Sequence, residues 1–215
     1  MWELATGVRV TRFQRSALWG TMGRVGADVV VLHPVQRETP DAALVMRARD
    51  GDEVALQQLF ERHYPPAVSL AFRLMPADDP EDIAQEAMLE ALKGLGQLET
   101  PEAFGGWLRR IVVSRVTRRL KRKRLLRRLG MGTVELVDVE LVVSRAAPPD
   151  LALELKQLYS RLDLLPSDER VALVLRRVEG LALDEVAQSL GVSLSTAKRR
   201  VASAEARLQL GGRDE

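Results

Sequence analysis

Phe104, Leu108, Ile111, Val112, Val116 and Leu120 recur every three to four residues and, with Trp107, mark one face of a single long helix. Every charged residue on the remaining faces is basic: Arg109, Arg110, Arg115, Arg118, Arg119, Lys121, Arg122, Lys123, Arg124, Arg127 and Arg128. No Asp or Glu occurs from Ala103 to Val134. Such a helix must bury its apolar stripe against its own protein and present the rest to something anionic. That requirement places a helix, and not a sheet, at the centre of the fold.

The same period organises the rest of the chain. Asp41 is expected to cap a first helix, with a break at Gly51-Asp52 and an interruption at Pro65-Pro66. Val68, Ala71, Phe72 and Met75 then share an apolar face, and residues 76–80 form a turn. A helix over about 81–93 follows, apolar at Ile83, Ala84, Ala87, Met88, Ala91 and Leu92. A Gly/Pro-punctuated loop precedes the basic helix, which is expected to start near Glu102. Residues 129–150 lose the period, close on Pro148-Pro149 and read as a linker. Beyond it Leu151, Leu155, Leu158, Leu162 and Leu165 form a stripe. Ser167 is expected to cap a helix carrying Val171, Val174, Leu175 and Val178, and two short helices follow over 183–190 and 194–208. The expected fold is all-α, with two small helical domains (41–128 and 151–210) joined by a flexible linker. Residues 1–40 show no sustained period and are expected to be a poorly ordered extension. The run Val29–Leu32 could be a strand, but a lone strand has nothing to pair with.

Composition removes several functions. The absence of cysteine excludes disulfides and thiolate metal sites, and two histidines make a protein-held zinc improbable, so no metal or cofactor is expected. No apolar run approaches the roughly 18 residues of a membrane span, and the start lacks the basic-then-apolar order of a signal peptide. The expected location is the cytoplasm.

Three surfaces carry functional information. The basic helix suits phosphate backbone, whose neutralisation releases counterions; a solvated face or an anionic membrane are the competing readings. The tract LALDEVAQSLGVSLSTAKRRVASAEARL reads as a helix-turn-helix. Val186, Ala187 and Leu190 face inward, Gly191 permits the turn and Val192 plugs it. Ala197, Val201, Ala204 and Leu208 line the second helix, leaving Ser195, Thr196, Lys198, Arg199, Arg200 and Ser203 outward or flanking. The third surface is the acidic segment DDPEDIAQEAMLEAL, where Asp82, Gln85, Glu86 and Leu89 share one face. A solvated polar face is the bland explanation, but Leu89 within it favours a protein partner offering basic and apolar groups.

In this order the residues resemble bacterial RNA polymerase sigma factors of the small, two-domain extracytoplasmic-function type. Asp41-Ala-Ala-Leu-Val, Gly51-Asp52, Glu81-Asp82-Ile83-Ala84-Gln85-Glu86 and Phe104-x-x-Trp107-Leu108-x-x-Ile111 look like the family's region 2. Leu164-Leu165-Pro166, Arg170, Gly180, Asp184-Glu185-Val186-Ala187, Gly191-Val192-Ser193 and Thr196-Ala197-Lys198 look like its region 4. The resemblance implies that Asp82, Gln85, Glu86 and Leu89 dock on the coiled coil of the largest subunit of core RNA polymerase. It implies that the loop 95–105 and the basic helix, through Trp107, Arg110, Ser114, Arg115, Arg118, Arg119 and Arg122, read and melt the −10 element of promoter DNA. Ser195, Thr196, Lys198, Arg199, Arg200 and Ser203 would read the −35 element, with Ser195, Arg199 and Ser203 nearest the bases. An anti-sigma factor is an expected partner, and no catalysis or small-molecule substrate is implied. A linker of about 20 residues can reach about 65 Å at roughly 3.3 Å per residue. That is comparable to a promoter spacer of about 17 base pairs at 3.4 Å each.

The sequence departs from the family pattern at Ser114, where Asn is usual, at Met88, where Phe is common, and at Ala197, where Val is commoner. Ala182 stands in place of a hydroxyl cap, a loss of about 1 kcal/mol at that helix start. Two other functions compete. A helix-turn-helix regulator with a helical sensory domain would not need the acidic face. A serine recombinase would need an activated nucleophile, and neither Ser69 nor Ser114 has a histidine near it in sequence.

Overall fold

A computed structural model describes residues 8–10, 32–34, 39–76, 78–131 and 149–210. The expected disorder of residues 1–40 and the expected linker lie largely outside them. Within the first 39 residues, strand β1 (Val8–Val10) pairs antiparallel with β2 (Leu32–Pro34), Arg9 opposite His33. Of the run Val29–Leu32, only Leu32 lies among the described residues, where it begins β2. Local patterning carries no trace of such a pairing.

From Pro40 onward all described elements are helical. Helix α1 (Asp41–Arg49) begins after Pro40, so Asp41 is its first turn and not its cap. The Asp41 carboxylate instead accepts from Arg62 Nη1 at 2.6 Å and meets His63 Nε2 at 2.9 Å. Helix α2 (Glu53–Leu74) starts on a true cap, because Asp52 accepts from the Val54 and Ala55 N–H groups. It runs unbroken through Pro65 and Pro66, contrary to the expected interruption. Both prolines are exposed, so their rings occupy the solvent side of the helix and not its packed face. Buried Ala55 and Leu59 before them, and Ala67, Leu70, Ala71 and Leu74 after them, hold the two halves to one core. Ala71 and Met75 of the expected face are buried, but Val68 and Phe72 are only half-buried and Ala67, Leu70 and Leu74 are buried in their stead. Both sets satisfy the helical spacing and share Ala71 and Met75, so the period alone does not choose between them.

Helix α3 (Pro80–Lys93) is capped by Asp79, which accepts from Glu81 and Asp82 N–H groups at 3.0 Å, with Pro80 at the favoured first position. Two short 3-10 turns lead to α4 (Phe104–Arg128), which starts two residues later than expected. Phe104 is fully buried and is the largest such side chain among the described residues; Leu108, Ile111, Val112, Val116 and Leu120 extend its stripe. Val113, outside that stripe, is buried as well.

The C-terminal half comprises α5 (Pro149–Leu164), α6 (Ser167–Arg177), α7 (Leu183–Leu190) and α8 (Leu194–Leu210). Helix α5 starts inside the expected linker, two residues before Leu151. Its inner face is Tyr159 and Leu162, while Leu158 is exposed. Pro166, not Ser167, occupies the cap position of α6, and Ser167 is buried in the first turn. Val171, Val174 and Leu175 are buried as the period requires, but Val178 lies beyond the helix end and is exposed. Helices α6, α7 and α8 pack on one another, and α6 and α7 also pack on α4, giving one continuous core.

Candidate protein and nucleic-acid interfaces

Gly191 adopts the left-handed conformation, φ 63°, that ends α7 and turns the chain into α8. The Val192 N–H returns to the Ala187 carbonyl at 3.0 Å, locking the turn. Val186, Ala187, Ala197, Val201 and Ala204 are buried and Leu190, Val192 and Leu208 pack against them, as the helix-turn-helix pattern requires. The N-terminus of α8 carries a cap the residue pattern had not singled out: Ser193 Oγ accepts from the Thr196 N–H at 3.3 Å. The same hydroxyl lies 3.0 Å from Ser195 Oγ and 2.9 Å from Thr196 Oγ1, tying these hydroxyls into one cluster. Ser195, Lys198 and Arg199 are exposed, and Thr196 and Ser203 are half-buried. Arg200 turns back instead, its Nη2 3.5 Å from Asp168.

On α3, Asp82, Gln85 and Leu89 are exposed and Glu86 is half-buried, all on the side opposite Ile83, Ala84, Ala87 and Met88. The carboxylates do not stand alone. Arg119 Nη2 lies 2.6 Å from Asp82 and 3.2 Å from Glu86. Arg115 is ion-paired with Glu86 and, at 2.6 Å, with Glu90. The hydrogen bond to Asp82 holds the Arg119 pKa above its usual value, against a smaller opposing effect of burial. Glu90 was absent from the sequence-derived set, although its position four residues after Glu86 on the same helix face was available as a signal.

The basic helix α4 is therefore divided by face. Arg115 and Arg119 point at the acidic helix. Trp107 is half-buried, its ring centroid 6.2 Å from that of Phe104, and its edge crosses Gly94, where an added Cβ would meet it at 3.1 Å. Arg110, Ser114 and Arg118 line a groove against α7 and the Gly191 turn, and Arg122 is exposed. The residues expected at the −10 element thus lie on three different sides. Charge sign alone could not separate them, because only the partner across the helix pair determines which arginine is already occupied.

A helix-turn-helix packed beside an arginine-rich helix has the make-up of a DNA-binding protein, and the same chain carries an exposed acidic, partly apolar helix face. The chain belongs to the ECF sigma factor family, whose sequence model matches residues 41–213. It is 34% identical over 174 residues to the ECF RNA polymerase sigma factor SigM of Mycobacterium tuberculosis, covering 80% of this chain and 85% of that one. It is 31% identical over 176 residues to the ECF RNA polymerase sigma-E factor of Escherichia coli, covering 78% and 91%. Among solved structures it is similar to CnrH bound to the cytosolic domain of CnrY, at TM-score 0.57 and 26% identity over 82% of this chain and all of that one. The fold is also that of RpoE from Bartonella quintana, solved with the anti-sigma factor NepR (TM-score 0.56, 24% identity, 74% of this chain, 98% of that one). No described helix is long and apolar enough to cross a membrane.

Proposed function

We propose that this protein binds core RNA polymerase through the outer face of α3 and directs it to promoters, with α4 at the −10 element and α8 at the −35 element. It acts in the cytoplasm and contributes no catalytic group; the polymerase makes the bonds. The observation that carries this reading is the pairing, in one chain, of the exposed Asp82/Gln85/Glu86/Leu89 face with two separate basic elements in the family's order. Asp82, Glu86 and Leu89 offer charge and apolar area together, as a basic amphipathic partner helix requires. Lys198 and Arg199 stand exposed just beyond the capped start of α8, where a recognition helix meets base edges and phosphates. An anti-sigma factor is expected to hold the protein inactive by covering these surfaces.

Transcription in vitro with core polymerase and a promoter library tests the proposal. Start sites sharing paired −10 and −35 sequences are the expected result. Sequence-specific binding to bare duplex without polymerase, and no promoter-directed transcript with it, would instead identify an ordinary helix-turn-helix regulator.

A further inference from the structure

Arg49, the last residue of α1, reaches across to the segment that precedes α4. Its Nε donates to the Leu95 carbonyl at 3.1 Å and its Nη2 to the Leu98 carbonyl, partners 46 and 49 residues away in the chain. The two acceptors bracket the first 3-10 turn (Leu95–Gln97). Nε–H and one Nη–H leave the same planar edge of a guanidinium, so a single arginine holds both carbonyls in fixed relation. A lysine ammonium is a point charge on a flexible stem and has no such edge. Other contacts secure the same segment. Leu95 and Leu98 are buried, and the Trp107 ring lies over Gly94. Beyond the second 3-10 turn (Pro101–Ala103) the His63 ring closes on Gly105, where an added Cβ would stand 3.3 Å from Cε1. Between these anchors Gln97, Glu99, Thr100 and Glu102 are exposed. They supply carboxylates, an amide and a hydroxyl but no cation, so this edge suits hydrogen bonds to bases and not the holding of phosphate.

We propose that Arg49 is a positioning residue for promoter reading: its fork fixes the 94–103 segment in the shape that presents Gln97, Glu99 and Thr100 to bases of the −10 element. It acts through the two leucine carbonyls and not by touching nucleic acid. A turn that has lost the fork can repack around a wrong base, so discrimination falls while docking on polymerase and reading of the −35 element are untouched. The role in promoter reading rests on the assignment of loop 95–105 to the −10 element; the clamp on the turn does not.

Arg49→Lys and Arg49→Ala in the full-length chain separate the fork from the charge. Hydrogen exchange read by mass spectrometry is expected to rise several-fold in peptides over 94–103 for both variants, with peptides of α3 unchanged. Equal exchange in the parent and in Arg49→Lys would overturn the clamp. Transcription with core polymerase, from promoters varied singly at −10 and at −35, gives the second readout. Both variants should narrow several-fold the ratio between preferred and substituted −10 sequences, while the −35 ratios and the affinity for core stay those of the parent. A −10 ratio preserved in Arg49→Lys would refute the positioning role, as would an equal loss on every −10 sequence. Gly94→Ala keeps Arg49 and disturbs the turn from the Trp107 side; alanine adopts the φ of −89° found there, so the ring contact alone is changed. It should narrow the −10 ratios in the same way even if the Arg49 variants fold poorly, and unchanged ratios would count against the turn as the reader. A parent chain that yields no promoter-directed transcript would end the sigma factor reading and the promoter role together, with the exchange data still deciding the clamp.

Discussion

Arg119 places its guanidinium 2.6 Å from the Asp82 carboxylate, so a residue expected on DNA and a residue expected on polymerase neutralise each other within the chain. Together with Arg115, Glu86 and Glu90 they form a ladder along the α3–α4 seam. Each rung is partly exposed and exchangeable, since such pairs contribute only about 0–1 kcal/mol.

Reversing the charge at Asp82 and Glu86 should weaken binding to core polymerase without reducing helicity. The outward side chains bury little, and the α3 core of Ile83, Ala84, Ala87 and Met88 is untouched. Titration of labelled chain with core polymerase, alongside circular dichroism, reads both quantities. Wild-type affinity in the double Lys variant would remove α3 from the docking surface.

The arginines of α4 should separate into two groups in salt titrations of DNA binding. Arg118→Ala and Arg122→Ala are expected to lower the slope of log affinity against log salt, by about 0.7–0.9 for each phosphate that is no longer neutralised. Arg115→Ala and Arg119→Ala should leave that slope nearly unchanged, because their charge is spent on α3. Equal slopes for all four variants would contradict the division.

Arg199→Ala should relax preference at one or two −35 positions and cost about 1–3 kcal/mol there. Arg200→Ala should do much less, because Arg200 faces Asp168. Transcription from a set of −35 variants distinguishes base reading from a uniform loss. A uniform loss with Arg199→Ala would reassign that residue to phosphate.

Ala182 holds the extended backbone of a helix cap, φ −64° and ψ 157°, with no side-chain oxygen to use it. Only the reverse half of a capping box is present, the Ala182 N–H donating to Glu185 at 2.8 Å. Ala182→Ser is therefore expected to stabilise the protein by about 1 kcal/mol in denaturant unfolding. No gain, or a loss, would show that the α6–α7 connection tolerates no second half.

His63 packs its ring edge against Phe104, with centroids 4.9 Å apart. Burial pushes its pKa down, and the neighbouring Asp41 only partly opposes this. The folded state therefore holds the proton less tightly than the unfolded chain. Its contribution to stability is intact above about pH 6.5, the ordinary histidine value, and is lost as pH falls through and below it. Unfolding curves from pH 7.5 to 5 should show this decline, and His63→Gln should flatten it. An unchanged slope in the variant would move the effect elsewhere.

What was legible in the sequence follows from what depends on neighbours along one helix. The stripe Phe104–Leu120, the Gly191 turn and the outward set on α3 all follow from spacing, and all stand in the fold. Caps were harder: Asp41 and Ser167 each follow a proline and sit one position too late, because the proline takes the boundary itself. Tyr159 was missed in favour of Leu158, since leucine count and not side-chain bulk set the stripe. The partners of Arg115 and Arg119 were invisible, because each is set by which helix lies across the seam.

The two exposed prolines of α2 have a further consequence for how the chain opens. Proline brings no amide proton, so two successive rungs of the backbone ladder, those to the carbonyls of Glu61 and Arg62, cannot form. The missing donors divide the backbone ladder of α2 into two blocks: one capped by Asp52 and packed on α1, the other reaching to Leu74 and carrying Arg73 toward Glu179. Local opening is expected to stop at this seam, so native-state hydrogen exchange should show the second block loosening as a unit while the amides around buried Leu44 and Leu59 stay protected.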